Sequence, residues 1–353
     1  MYVAWRDLRF ARGRFALIGA VVALITLLVG FLSGLTGGLA AQNVSAVLAL
    51  PGDRLVLHPV GDAAATFADS AIADDTIAAW RTAPGVDAVT SVGIVQTRAE
   101  GPDGSGGVAL FGLDPGTTFP APTRDGDVDL SSGAAAALGA TAGDEVTIAG
   151  QSFRVAAVDG DLSYSHTPVV SMTSAAWKAL DQRLGGTGTA TVLAVDGTPA
   201  WDEVAARTGT VASAPLSSLT ALPTFRSEIG SLALMIAMLF GVSALVVGAF
   251  FTVWTMQRAA DVAVLKALGA STPALVRDAI GQALVVLVVG VGVGIGATTA
   301  LGALAGSALP FLLSPLTTLA PALALIVLGL AGAAVSLRIV TSSDPLTALG
   351  STR

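Results

Sequence analysis

The sequence predicts an α-helical membrane protein with four transmembrane helices and an α+β extracytoplasmic domain inserted between helices 1 and 2. Three observations carry this expectation. The 353 residues are 53% hydrophobic and only 12% charged, with a mean hydropathy of +0.75, outside the ordinary soluble range. Four long apolar runs without Lys or Arg lie toward the two ends of the chain. The middle has the mixed composition of a folded aqueous domain.

Residues 1–14 read as an amphipathic cytoplasmic helix carrying Arg6, Arg9, Arg12 and Arg14. The first span, 15–37, is uncharged and long enough to cross roughly 30 Å of hydrocarbon at about 1.5 Å per residue. The others fall at 229–255, 279–305 and 316–337. A basic start, an apolar stretch and Gly38-Leu39-Ala40-Ala41 also fit a signal peptide, but the apolar stretch exceeds the usual length, and a retained span is expected.

Orientation follows from the basic residues, because Lys and Arg in short loops beside spans stay in the cytoplasm. Arg258, Lys266 and Arg277 lie between spans two and three, Arg338 and Arg353 follow span four, and the outer turn 306–315 has none. Both termini are therefore expected inside, with 38–226 outside, 256–278 as a cytoplasmic segment and 338–353 as a cytoplasmic tail. The net charge of −7 divides accordingly: nine basic against four acidic residues inside, nine against twenty-one outside. The inner excess suits anionic membrane lipid. The acidic balance argues against nucleic-acid binding.

Within the insert, alternating runs at Arg54–His58, Gly107–Phe111 and Glu145–Ile148 predict strands. Asp74–Thr82, Ser131–Leu138, Ser174–Leu184 and Trp201–Thr208 predict short helices, several opening on Ser or Asp caps. Gly101–Gly107 reads as a flexible loop. The absence of cysteine excludes disulfides and thiolate chemistry.

The stretch Gln257–Gln282, QRAADVAVLKALGASTPALVRDAIGQ, has apolar residues at helical spacing, then a Gly-Ala-Ser break. By pattern it is a helix at the cytoplasmic membrane surface. It resembles the signature of the FtsX-like, MacB-type ABC permease family, in which an acidic residue precedes an apolar-Lys/Arg-Ala-Leu-Gly-Ala-Ser core. Asp261, Leu265, Lys266, Ala267, Leu268, Gly269, Ala270 and Ser271 occupy those places. Ala4–Arg14 resembles the family's N-terminal surface helix, Asp344–Leu349 its Pro-x-x-Ala-Leu ending, and Val128–Val158 its periplasmic core domain. The order of one span, a large insert and three spans is also the family's, a MacB-like topology covering essentially the whole chain.

The resemblance implies a homodimer of permeases bound to two copies of a separate ABC ATPase, with ATP and Mg on that partner and no cofactor on this chain. Asp261, Leu265, Lys266, Leu268 and Gly269 would then receive the motion of the ATPase. No G-x-x-x-x-G-K-[ST] is present to cradle ATP phosphates. GVGVGIG, built on Gly290, Gly292, Gly294 and Gly296, lacks the strand-turn-helix context of a dinucleotide site. With Gly30, Gly34, Gly302 and Gly306 it reads as small-residue packing, at either a dimer or an intrachain seam.

Candidate substrate-binding residues are Phe225, Arg226 and Glu228 at the entry to span two, and Tyr164 and His166 in Tyr164-Ser165-His166-Thr167-Pro168. A carboxylate at a membrane boundary is expensive unless used or hydrated, although Arg226 and Glu228 equally suit interfacial anchoring. Tyr164 and His166 share a face if their segment is extended. Chain length, the compact insert and this segment resemble the heme-exporting permeases of Gram-positive bacteria, which would make heme the substrate. No catalytic constellation or metal site is expected, and no charge lies deep in a span to serve an ion-coupled transporter. The expected function is export of a hydrophobic or amphipathic substrate by mechanotransmission from the ATPase. The alternative is a non-transporting regulator of the FtsX kind, acting on a signal or a cell-wall hydrolase through the same motor.

Overall fold

The computed structural model describes residues 12–257, 264, 271–305 and 309–341. The five residues expected to couple to the ATPase, Asp261, Leu265, Lys266, Leu268 and Gly269, lie outside them, as do 1–11 of the N-terminal helix and 342–353 of the tail. The chain divides into two compact units, one of Met1–Gly38 with Ser231–Arg353 and one of Leu39–Gly230.

The first unit is built from long apolar helices: α1 (Arg12–Leu48), up to Gly38, then most of Pro223–Gln257, then Thr272–Ala305 and Pro315–Thr341. Among the described residues, four stretches are long and apolar enough to cross a membrane: Phe15–Leu48, Pro223–Phe250, Val276–Ala305 and Pro315–Val335. In hydrocarbon a chain has no water to satisfy its backbone, so apolar runs of this length are helical. Their shared core includes Ile18, Val22, Val29, Val247, Leu287, Val291 and Leu325.

Glycines decide how closely these helices approach. A Cβ on Gly290 would meet Val22 at 2.9 Å, and one on Gly294 would meet Thr26 at 2.5 Å. Gly30 faces Thr298, and Gly34 and Gly302 both face the Phe311 ring. These glycines thus form a seam within the chain, whereas Gly292 and Gly296, on the other side of the same helix, have nothing within 4 Å. Gly306 lies outside the described residues.

The second unit is an α+β domain. Its strands are β1 (Arg54–Leu57), β2 (Val86–Glu100), β3 (Ser105–Leu113), β4 (Asp127–Leu130), β5 (Glu145–Ile148), β6 (Gln151–Val158), β7 (Ser163–Tyr164), β8 (Thr167–Thr173), β9 (Val192–Gly197) and β10 (Val211–Ser213). The short helices are α2 (Asp74–Arg81), α3 (Ser132–Leu138), α4 (Ser174–Arg183), α5 (Trp201–Thr208) and α6 (Pro215–Ser218). The three later long helices are α7 (Pro223–Gln257), α8 (Thr272–Ala305) and α9 (Pro315–Thr341).

Ser131 caps α3 through the Ala134 N–H, but the caps otherwise differ from expectation. Asp74 lies inside α2 behind an uncapping Ala73, and Thr173 rather than Ser174 caps α4. The predicted loop 101–107 gives way to strand at Ser105, because Gly106 and Gly107 pair with Ala99 and Arg98.

The strand order is β10-β1-β9-β2-β3-β8-β4-β6-β5, and β5 returns to pair with the end of β2. The fifteen-residue β2 makes this possible: Val86–Val92 pair with β9, Gly93–Glu100 with β3. Alternation then feeds three cores. On β3, Val108 and Leu110 face a cluster with Phe153, Met172 and Trp177, while Ala109, Phe111 and Leu113 face one with Val44, Val47, Leu50 and Tyr164. On β9, Leu193 and Val195 join Trp80 and Ile77 on the face that α2 and α5 cover.

Candidate functional site

Three segments of the Leu39–Gly230 unit converge: the end of α1, the β7–β8 hairpin and the start of α7. The hairpin is a two-residue turn, with Ser163 opposite Pro168 and Tyr164 opposite Thr167. Both turn residues are left-handed, Ser165 at φ 46° and His166 at φ 64°. That is the geometry of a primed hairpin turn, usually built from Asn and Gly. For two side chains bearing a Cβ it costs about 1–2 kcal/mol each.

The surroundings hold the turn in place. The N–H groups of Ser165 and His166 donate to the carbonyls of Asn43 and Gln42, at 2.9 and 3.0 Å. Two residues beyond Asn43 along α1, Ser45 Oγ accepts from Ser163 N–H at 2.8 Å and lies 3.2 Å from the Ser163 carbonyl. The turn is thereby clamped against helix α1, with the imidazole projecting beside Asn43.

His166 Nε2 lies 2.8 Å from Glu228 Oε2, and the two side chains are 30% and 37% exposed. Asn43 Nδ2 lies 3.3 Å from the same carboxylate oxygen and 3.4 Å from His166 Nε2. An imidazole, a carboxylate and a primary amide thus meet in one half-open corner. Chemically this corner offers hydrogen-bond donors and acceptors and two groups able to approach a metal centre. Among the described residues, no three His, Asp or Glu side chains converge in the manner of a metal cage.

The other candidates separate. The turn breaks the extended geometry on which a shared face for Tyr164 and His166 depended, so the two side chains part. Tyr164 is buried, edge-on to Phe111 and Phe67 with centroids 5.7 and 6.3 Å away. Burial disfavours the tyrosinate and pushes its pKa well up. Tyr164 is therefore a core residue that sets the hairpin, and it does not line the corner. Phe225 packs on the same core, and Arg226 is exposed. Asn43 escaped the sequence reading. Its signal was an amide beyond the first apolar run on an otherwise apolar helical face, a position that demands a partner.

Among the described residues, four helices of membrane-spanning length mark this as a membrane protein. Residues 233–345 match the family model described as FtsX-like permease C-terminal. Over its last three long helices the chain is thus similar to an FtsX-like permease domain. It is 25% identical over 358 residues to the "Putative hemin transport system permease protein HrtB" of Staphylococcus haemolyticus, with 99% of each chain covered. The protein of the same name from Staphylococcus epidermidis is 22% identical over 378 residues, again with 99% of each covered. Among solved structures, the YknZ extracellular domain from Gram-positive bacteria overlaps 44% of this chain and 87% of its own, at 16% identity and a TM-score of 0.31. The periplasmic region of MacB from Actinobacillus actinomycetemcomitans overlaps 50% and 94%, at 11% identity and a TM-score of 0.36.

Proposed function

We propose that this permease exports a hydrophobic or amphipathic substrate from the membrane, with hemin as the substrate, and that a separate ATPase drives it. The observation that carries the reading is the 2.8 Å pairing of His166 with Glu228 in a half-exposed corner. Imidazole is a common axial ligand of heme iron, and a carboxylate beside it balances the charge of a ferric centre. End-to-end similarity to relatives named for hemin transport supports the same substrate.

In this reading the termini are cytoplasmic and the Leu39–Gly230 unit is extracytoplasmic, as the distribution of Lys and Arg supports. Two permeases and two ATPases form the working complex. Asp261, Leu265, Lys266, Leu268 and Gly269 form the ATPase contact, and nucleotide-driven closure travels outward along rigid helices as a two-state movement. Phe225 and Arg226 flank the entry of substrate.

The test is ATP turnover of the chain with its ATPase in lipid nanodiscs, with and without hemin, read together with the Soret band. Hemin binding with stimulated turnover supports export. An ATP-active complex indifferent to hemin removes the hemin reading and favours a mechanical or signalling role of the FtsX kind. Failure to assemble with any ATPase overturns the motor assignment.

A further inference from the structure

The amide of Asn43 is 1% exposed, and its Oδ1 is buried with no hydrogen-bond partner among the described residues. Leaving such an oxygen unsatisfied is unfavourable. Turning the amide over would be worse, because an amide oxygen would then face Glu228 Oε2 at the 3.3 Å now spanned by an N–H. The amide is held as a donor at the expense of its acceptor.

Proton accounting explains why a donor is needed there. The 2.8 Å line between His166 Nε2 and Glu228 Oε2 has room for one proton. With that proton on Nε2, the carboxylate oxygen accepts from both the imidazole and Asn43. With it on Oε2, Nε2 becomes an acceptor, and the Asn43 N–H, 3.4 Å away, is the group that faces it. A single primary amide donates in both arrangements, which an acceptor-only carboxylate at position 43 would not do.

We propose that Asn43 is the positioning residue of the His166–Glu228 pair. Its buried N–H holds the imidazole and the carboxylate in register and fixes which atom of each is offered to a metalloporphyrin. As a statement about substrate this rests on the hemin reading above; as a statement about geometry it is testable without hemin.

The experiment uses the full chain in nanodiscs with 15N-labelled histidine. Only His58 and His166 contribute, and His58→Gln assigns them. In the unsubstituted protein the His166 ring gives one sharp pair of 15N signals, that of a single held imidazole. In Asn43→Ala and in Asn43→Asp, which both remove the N–H, the ring signals shift and broaden as the imidazole loses its register with Glu228. A packing role alone would lower thermal stability and leave the ring signature in place. Hemin affinity, followed at the Soret band, falls on the order of tenfold in Asn43→Asp, as when a supporting hydrogen bond behind a ligand is lost. An unchanged ring signature in both variants overturns the positioning role, even if hemin binds. A responsive ring in a protein that binds no hemin keeps the positioning role and removes the hemin reading.

Discussion

His166 and Glu228 stand 2.8 Å apart through Nε2 and Oε2 with 62 residues of chain between them. One is carried by a strained hairpin turn and the other by the first turns of a long helix.

Glu228→Gln keeps an oxygen opposite the imidazole but removes the charge. A hydrogen bond to a charged group contributes about 1.5–3 kcal/mol. If the proposed hemin reading holds, hemin binding to the chain in nanodiscs is therefore expected to weaken roughly 10- to 100-fold. His166→Gln is expected to weaken it similarly. Soret titration measures both, and two variants binding as tightly as the original would move the site elsewhere.

Trp177 of α4 lies over the cross-strand pair Gly93–Gly112. A Cβ at either position would come within 2.3 Å of Trp177 atoms. Gly112→Ala is therefore expected to destabilise the inserted domain by about 1–3 kcal/mol through overpacking. Thermal unfolding followed by tryptophan fluorescence checks this, and an unshifted transition would mean that the indole can move aside freely.

The two sides of α8 should respond differently to the same substitution. Gly294→Ala would bring a Cβ within 2.7 Å of the Ala23 carbonyl, whereas Gly292→Ala and Gly296→Ala would meet nothing within 4 Å. The first should lower the melting temperature of the detergent-solubilised chain, and the other two should leave it nearly unchanged. Equal losses at all three positions would place a further helix against the open side.

Tyr164 is one of two tyrosines, and burial raises its pKa. An acid raised in this way contributes stability that is fully present below its unfolded pKa of about 10 and lost as pH rises through the folded value. In an alkaline titration its tyrosinate absorbance should thus appear together with loss of circular dichroism. Tyrosinate from Tyr164 in a still-folded domain, identified with Tyr2→Phe, would contradict the burial.

Much of the architecture was legible because it is local. A run of about twenty uncharged apolar residues can cross a bilayer only as a helix, whatever surrounds it. Helix α5 falls at Trp201–Thr208, as its periodicity predicts, because eight residues suffice to define an amphipathic face. Glu228 and His166 were legible singly, as a boundary carboxylate and one of two histidines.

Their meeting was not, because it depends on closing 62 residues of intervening chain and on a turn that propensity disfavours. Alternation placed Tyr164 beside His166. The left-handed turn, whose Ser165 and His166 N–H groups donate to carbonyls of a helix more than a hundred residues away in sequence, instead sends the tyrosine into the core. The same distance hid Asn43, whose partners come from two remote segments. Composition and periodicity thus determined the spans, the insert and the short helices, since hydropathy acts over one or two turns of chain. Tertiary structure alone decided which polar groups meet, since only packing brings together atoms that the sequence separates.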